Sequence, residues 1–298
     1  MQCVPEVPAS DIAHFLDCDL IGDDVMIGSV VPLPRVRKGV LSFAQANASA
    51  LVDLCRLPRD CFLIADQTLA DKLSCSHVLV ENPRFEFART LWKFFVDQPA
   101  SVVSERAHIS ETASLGKGVG VGCFSVVEDD VVIGEDTIIG DHVVLKSGVR
   151  IGRRCTVMSH VVIGETGFGL AFDGEKYVGM PHLGGVRIGD DVQINCRASI
   201  DRGTLDDTVV GDHVKIGTQV RIAHNVLIDQ GAIVAGGVSI CGSSHIGKSA
   251  WIGPGALIRD GGLLIGEHSV VGMGAVVTKS VDAGVVVVGN PAKVMRKV

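Results

Sequence analysis

The sequence predicts a mainly β fold, in which a three-sided coil of short parallel strands follows a small α/β domain. Two observations carry this prediction: aliphatic residues recur every six positions after residue 108, and the glycines are concentrated in the same part of the chain. Of the 36 glycines, 33 lie after residue 100, whereas eight of the 13 aromatic residues lie before it. This change in composition places a domain boundary near residues 98–99 and predicts domains of 1–100 and 101–298.

The first domain, residues 1–100, has the pattern of an ordinary α/β fold. Short strand-like runs occur at 40–43 and 61–64. A helix is expected over 82–96, because Pro83 stands at its start and apolar residues follow at helical spacing.

The six-residue repeat decides the fold of the second domain. A step of six fits neither the 3.6-residue period of a helix nor the two-residue alternation of a strand. It fits a coil with three flat sides, each with one inward aliphatic side chain, and small residues turn the corners. At about 18 residues per coil, the repeat predicts about eight coils around a core too narrow for many aromatic rings. The inward positions are Ile109, Leu115, Val121, Val127, Ile133, Ile139, Leu145, Ile151, Val157, Ile163, Ile188, Ile194, Ile200, Val210, Ile216, Ile222, Ile228, Val234, Ile240, Ile246, Ile252, Ile258, Ile265, Val271 and Val277.

Insertions interrupt the repeat, and insertions in solenoids form loops that often carry function. The largest, at about residues 164–187, contains three of the five aromatic residues of the second domain: Phe168, Phe172 and Tyr177. We expect this loop to cover a substrate. A second break of four residues lies between 200 and 210, and a third of one residue lies between 258 and 265.

His224 is the candidate general base of the coil. It lies two positions after the inward Ile222, at a polar corner where an imidazole can take a proton from an incoming amine. Gly242 lies one coil later, so its backbone N–H is expected beside the imidazole, where it can stabilise an oxyanion. One coil earlier stands Asp206, next to Asp207, and either is a candidate for orienting the imidazole.

Composition excludes several classes of function. The net charge of −7 argues against nucleic-acid binding, and no apolar run approaches the ~20 residues that cross a bilayer. The start of the chain has neither the basic nor the apolar region of a signal peptide. The nine cysteines are scattered without a C-x-x-C motif, and no two histidines lie within ten residues of each other. We therefore expect a cytoplasmic protein without structural disulfides, a metal site or a transmembrane segment.

Five segments resemble a known family: 39–49, 80–89, 161–192, 199–228 and 235–256. In them the chain is similar to the UDP-3-O-acylglucosamine N-acyltransferases of lipid A biosynthesis, which are hexapeptide-repeat acyltransferases. The resemblance implies a left-handed parallel β-helix and a homotrimer with active sites between neighbouring subunits. It further implies transfer of a 3-hydroxyacyl chain from the phosphopantetheine of acyl carrier protein to the 2-amine of a UDP-3-O-acylglucosamine, without a permanently bound cofactor.

The resemblance also assigns roles to individual residues. His224 takes the position of the general base, and the Gly242 amide takes that of the oxyanion donor. Phe43 matches the ring that stacks on the uracil base, and Asn47 lies one place from the family's asparagine.

Two alternatives to this activity stay open. The final segment, VVVVGNPAKVMRKV, is more similar to coenzyme-A-dependent members of the hexapeptide group, which favours an acetyl-CoA-dependent N-acetyltransferase of a nucleotide-linked amino sugar in surface-polysaccharide biosynthesis. Lys293 and Arg296 either contact a phosphate of the pantetheine donor or form a solvated basic tail.

The other alternative is a non-catalytic solenoid that binds a ligand or acts as a scaffold, and a right-handed coil would suit it. Two differences from the family support this alternative: Ser49 stands where the family carries a tyrosine, and the segment 258–265 lacks the family's second histidine.

Overall fold

The structure, a computed structural model, describes residues 6–47, 52–97 and 101–298. The chain forms two compact units, residues 1–98 and 99–298. Ser49, where the sequence lacks the family's tyrosine, lies outside the described residues.

The smaller unit is an α/β structure built on a four-stranded parallel sheet. Its helices are α1 (Ala9–Phe15) and α2 (Pro83–Phe94). Helix α2 begins where the sequence predicts, because the Asn82 side chain accepts a hydrogen bond from the Phe85 N–H at 3.2 Å. Neither helix, nor any other in the part of the chain that the structure describes, is long and apolar enough to cross a membrane.

The two predicted strands of this unit are present, and the parallel sheet has two further strands, at 29–30 and 76–80, that were not predicted. The parallel sheet contains Ser29–Val30, Val40–Ala44, Phe62–Asp66 and Ser76–Val80. A short antiparallel pair joins Val7–Pro8 and Met26–Ile27, and 3₁₀ turns occupy Leu33–Arg35, Leu54–Arg56 and Gln67–Lys72.

The larger unit is a three-sided parallel β-helix, and each side is one sheet. The first face contains His108–Ile109, Val126–Val127, Val144–Leu145, Val162–Glu165, Ser199–Asp201, Arg221–Ile222, Ser239–Ile240, Leu257–Ile258 and Val276–Val277. The second contains Ser114–Leu115, Val132–Ile133, Arg150–Ile151, Val186–Ile188, Thr208–Val210, Leu227–Ile228, His245–Ile246 and Leu264–Ile265. The third contains Gly120–Val121, Ile138–Ile139, Thr156–Val157, Gln193–Ile194, Lys215–Ile216, Ile233–Val234, Trp251–Ile252, Val270–Val271, Val285–Val288 and the antiparallel Lys293–Lys297.

The coil repeats as the sequence predicts. In regular coils, neighbouring strands of one face are separated by three steps of the six-residue repeat, so Ile222 pairs with Ile240 and Ile240 with Ile258. Every predicted inward aliphatic residue is buried except Ile109 and Leu115 of the first coil, which are half-buried. The three faces contain nine, eight and nine parallel strands, which makes between eight and nine coils.

The corners of the coil use left-handed backbone conformations. The third residue after an inward aliphatic residue has a positive φ, for example 56° at His142 and 64° at His160. Their rings stack with centroids 4.9 Å apart, as expected for residues at the same corner of adjacent coils. Asn, Asp and His adopt this conformation more readily than most residues, so polar side chains gather at these corners.

The largest insertion forms a β-hairpin, in which Leu170–Phe172 pairs antiparallel with Tyr177–Gly179. All six residues of these two strands are exposed. The coils on either side of the insertion are joined by ion pairs between residues 37 apart in sequence: Arg153 with Asp190 at 2.8 Å and Arg154 with Asp191 at 2.6 Å.

Candidate active site

His224 lies at the corner after the strand Arg221–Ile222. The next residue, Asn225, determines which ring nitrogen of His224 carries the imidazole proton. The His224 Nδ1 lies 3.2 Å from the Oδ1 of Asn225. That Oδ1 also accepts a hydrogen bond from the Thr204 N–H at 3.0 Å, and the Asn225 Nδ2 donates to the Asp206 carbonyl at 3.0 Å. Because the amide oxygen faces His224, Nδ1 carries the imidazole proton and the lone pair of Nε2 is free for a substrate.

Gly242 lies directly against the His224 ring. The strands pair Ile222 with Ile240, so Gly242 is one coil above His224. A Cβ on Gly242 would lie 2.6 Å from the His224 Cε1 and 2.8 Å from its Nε2, which leaves room only for glycine. The structure therefore brings the candidate base and the candidate oxyanion donor together.

The backbone N–H of Gly242 is free to bind a ligand. Gly242 is buried, and no hydrogen bond within residues 101–298 uses its N–H. At an equivalent corner the Cys123 N–H donates to the carboxylate of Asp141, one coil above, at 2.7 Å. The corresponding residue above Gly242 is Asp260, whose carboxylate accepts from the Gly261 N–H at 2.8 Å instead. The carboxylate of the next coil therefore leaves the Gly242 N–H without a partner among residues 101–298.

The structure differs from the expectation that Asp206 or Asp207 orients the imidazole. The Asp207 carboxylate pairs with the Arg187 guanidinium. Asp206 contributes only its backbone carbonyl, which accepts from the side chain of Asn225. Asn225 is the residue that holds the Nδ1 of His224.

The four-residue break explains this difference. Ile200 pairs with Ile222, so the break makes this coil longer than a regular one, and Arg202 stands at the equivalent position below His224. The Arg202 side chain donates to the Gly184 carbonyl at 2.7 Å. The sequence held one indication of this role, because Asn225 directly follows His224 at a corner position that favours asparagine. In the structure its φ is 59°.

A second imidazole, from the hairpin loop, packs against the first. The rings of His182 and His224 meet edge to face with centroids 5.1 Å apart. The His182 Nδ1 lies 2.9 Å from the Met180 carbonyl, and since a carbonyl only accepts, this nitrogen carries the proton. The Nε2 of His182 is buried without a hydrogen-bond partner among the residues that the structure describes. Sequence reasoning gave His182 no role, because nothing in the repeat fixes where a loop residue lies.

Two carboxylates lie around the paired imidazoles. Burial raises the pKa of Asp201, and the nearby Arg221 guanidinium acts in the opposite direction. The Arg221 guanidinium lies 3.9 Å from the Asp201 carboxylate, and Glu165 adds further negative charge. No group of three or more metal-ligating side chains occurs within residues 6–47, 52–97 and 101–298.

The predicted loop aromatics divide between the root and the tip of the hairpin. Phe168 stands between two glycines, Gly167 and Gly169, that pack against the imidazoles, while its own ring is 76% exposed. Phe172 and Tyr177 are exposed near the tip, with ring centroids 4.7 Å apart. The loop therefore offers apolar side chains beside the site.

The other predicted site residues lie elsewhere. In the smaller unit, Phe43 is half-buried with its ring centroid 4.8 Å from that of Phe87, and Asn47 is exposed. Lys293 and Arg296 are exposed on the last strand of the third face. They lie three or more coils beyond His224, on the order of 15 Å along the helix axis.

Sequence comparisons place these features among known proteins. Residues 112–147 and 130–165 match the model of the bacterial transferase hexapeptide (six repeats) family. The chain is 37% identical over 198 residues to UDP-3-O-acylglucosamine N-acyltransferase of Paracidovorax citrulli, covering 65% of this chain and 59% of the relative. It is 30% identical over 237 residues to the protein of that name from Coxiella burnetii, covering 69% and 66%. The matched part thus spans 59% to 66% of the length of these relatives.

Solved structures extend the comparison to the fold. UDP-N-acetylglucosamine O-acyltransferase (LpxA) from Moraxella catarrhalis matches with a TM-score of 0.60 and 27% identity, over 65% of this chain and 73% of that chain. LpxA from Bacteroides fragilis matches with a TM-score of 0.59 and 26% identity, over 65% and 74%. These neighbours confirm the predicted left-handed parallel β-helix. Residues 112–165 thus match the hexapeptide-repeat family model in the part of the chain that forms the six-residue coil.

Proposed function

We propose that this protein is an N-acyltransferase of lipid A biosynthesis, which moves a 3-hydroxyacyl chain from acyl carrier protein to the 2-amine of a UDP-3-O-acylglucosamine. The observation that carries the proposal is the free Nε2 lone pair of His224 beside the unpaired N–H of Gly242. The relatives named for this activity support the choice of substrates.

The chemistry needs a base and an oxyanion donor in fixed positions. The amine nitrogen attacks the thioester carbonyl and forms the C–N bond, while the His224 Nε2 takes a proton from the nitrogen. The Gly242 N–H stabilises the oxyanion of the tetrahedral intermediate. When the C–S bond breaks, the imidazolium returns its proton to the departing thiolate, and Asn225 holds the ring in the required tautomer throughout.

The hairpin supports a long acyl chain over an acetyl group. Its apolar side chains are exposed to solvent on the loop that carries His182, and an exposed apolar surface of this kind marks a binding site for apolar groups. The exposed apolar residues of the loop are Phe168, Leu170, Phe172, Tyr177, Val178, Met180 and Leu183.

The remaining substrate contacts follow the resemblance. We assign uridine binding to Phe43 and Asn47 of the smaller unit. Lys293 and Arg296 are candidates for the donor's phosphate, because a long phosphopantetheine arm separates that phosphate from the thioester. The working assembly is a homotrimer, and the eight described cysteines, all free thiols, support a cytoplasmic setting.

Release of the donor thiol tests the proposed function. The purified protein is incubated with UDP-3-O-acylglucosamine and either 3-hydroxyacyl carrier protein or acetyl-CoA. We expect transfer from the carrier protein, and a loss of about a hundredfold or more in rate for His224→Ala. His160→Ala, at a corner outside the site, is the matched control and should keep wild-type activity.

Each contrary result has a definite meaning. Transfer from acetyl-CoA alone would replace the proposal with an acetyltransferase. Unchanged turnover by His224→Ala would refute the assigned base, and no transfer from either donor would favour a non-catalytic solenoid.

A further inference from the structure

His182 carries an acceptor atom with no partner inside the site. His182 is 7% exposed, and its Nδ1–H donates a hydrogen bond to the Met180 carbonyl. Its Nε2 has no hydrogen-bond partner among the described residues. Buried polar atoms in proteins are nearly always hydrogen-bonded. An unpartnered Nε2 lone pair at an active site therefore indicates a place for a donor N–H of a ligand.

Two glycines keep the space beside this nitrogen open. A Cβ on Gly167 would lie 2.9 Å from the His182 Nε2 and 3.2 Å from the His224 Cδ2. A Cβ on Gly169 would lie 3.3 Å from the His182 Cε1. Because the same Gly167 adjoins both imidazoles, a ligand atom beside one ring is near the other.

The proposed reaction must remove two protons from the acceptor nitrogen. An amine of ordinary basicity is largely an ammonium ion at neutral pH, and an ammonium ion has no lone pair for attack. One proton must leave before attack and a second as the amide forms. Because His224 returns the second proton to the thiolate, the first proton goes either to solvent or to a second acceptor in the site. A hydroxyl acceptor would have only one proton to lose.

We propose that the Nε2 of His182 takes the first proton, converting the ammonium of the acceptor sugar into the amine that attacks the thioester. This inference rests on the proposed N-acyltransferase function. An N–H bond of the ammonium breaks and an N–H bond forms on Nε2. The imidazolium of His182 then passes its proton to solvent, so each turnover releases one proton overall.

Negative charge lies close to the two imidazoles. The Asp201 carboxylate interacts with both rings, and Glu165 adds negative charge near Asp201. These carboxylates attract the incoming ammonium. Positive charge that opposes them comes from Arg221, which pairs with Asp201, and from Arg202 at the corner below His224.

The pH dependence of His182→Gln tests the inference. Glutamine keeps a hydrogen-bonding side chain but cannot accept the proton. With 3-hydroxyacyl carrier protein as donor and UDP-3-O-acylglucosamine as acceptor, we expect kcat/KM to fall about a hundredfold at pH 6.5, as for loss of a general base. Near pH 9 the amine is already neutral, so the variant should come within about threefold of the wild type. His160→Gln, in the stacked pair at another corner, should match the wild type at both pH values.

A loss of equal size at every pH would overturn the inference, because a purely structural role predicts it. Full activity of the variant at pH 6.5 would also overturn it.

A second measurement is independent of turnover. The ¹⁵N resonance of the His182 Nε2 should shift when UDP-glucosamine, which has a free amine, is added, but not with UDP-N-acetylglucosamine. No shift would overturn the inference. A shift in a protein that transfers no acyl group would refute the proposed function and with it the proton transfer, whereas no shift in an active enzyme would overturn the role of His182 alone.

Discussion

At the scale of single residues, the contact between Gly242 and His224 leaves no room for a side chain. Replacing Gly242 by Ala would place a Cβ 2.6 Å from the His224 Cε1. We expect the ring to move and kcat to fall about a hundredfold, because small misplacements of a catalytic group have effects of this size. Gly236→Ala is the matched control, since it stands at the equivalent corner position and its Cβ would meet only the Thr218 backbone, at 3.2 Å.

Steady-state kinetics and thermal unfolding of both variants separate catalysis from stability. Wild-type kcat in Gly242→Ala would contradict the assigned position of the imidazole. The same loss of kcat in Gly236→Ala would point to a general distortion of the coil.

The positions of His224 and Gly242 could be predicted because both lie on the regular repeat, where three six-residue steps make one coil. Asn225 and His182 could not be placed in the same way. The residue below His224 is set by a break that lengthens one coil, and His182 returns from a hairpin whose path no periodicity specifies. The prediction for Asp206 was wrong because it assumed a regular coil across that break.

At the scale of elements, the six-residue pattern predicts nearly every strand of the β-helix, since most of these strands end on an inward aliphatic residue. The hairpin strands were not predicted as strands, because they bury no residue and so leave no apolar alternation to detect. In the smaller unit, the strand at 76–80 escaped notice although the flanking strand and helix α2 were predicted.

The ion pairs of Arg153 and Arg154 with Asp190 and Asp191 should make the stability of the protein depend on pH in the acidic range. Hydrogen bonds from the backbone N–H and guanidinium of Arg153 lower the pKa of Asp190 below its usual 3.8. A carboxylate with a lowered pKa in the folded state stabilises it at higher pH, and this contribution is lost as the pH falls through the lowered pKa. Asp190→Asn should therefore lower the Tm by about 3 °C at pH 7 and have no effect at a pH where the wild-type carboxyl is protonated.

Thermal unfolding of wild type and Asp190→Asn between pH 7 and pH 2 checks this expectation. Glu175→Gln, in the exposed turn of the hairpin, removes one negative charge without this ion pair and is the matched control. A difference in Tm that stays constant down to the lowest pH would show that the loss comes from packing and not from the charge of Asp190.

At the scale of the whole molecule, the narrow core of the β-helix leaves many apolar side chains on the outside. One inward aliphatic residue per side fills the interior, so the residue before it on each strand points outward. Leu257 on the first face, Leu264 on the second and Trp251 on the third are each partly exposed, Trp251 by 50%. Association between copies of the chain can cover outward apolar side chains of this kind.

We therefore expect three copies of this chain to associate, as the resemblance to trimeric acyltransferases implies. Association would cover outward residues such as Trp251 and would place the exposed hairpin of one copy beside a neighbouring β-helix, where it can complete a groove for the acyl chain. Sedimentation equilibrium at micromolar concentration should give three times the mass of the chain for the wild type, and the same for His224→Ala, whose change lies in the active site and not in the fold. A monomer would contradict both the trimer and an active site shared between copies. If Gly242→Ala is inactive and no longer sediments as a trimer, the corner at His224 belongs to the interface.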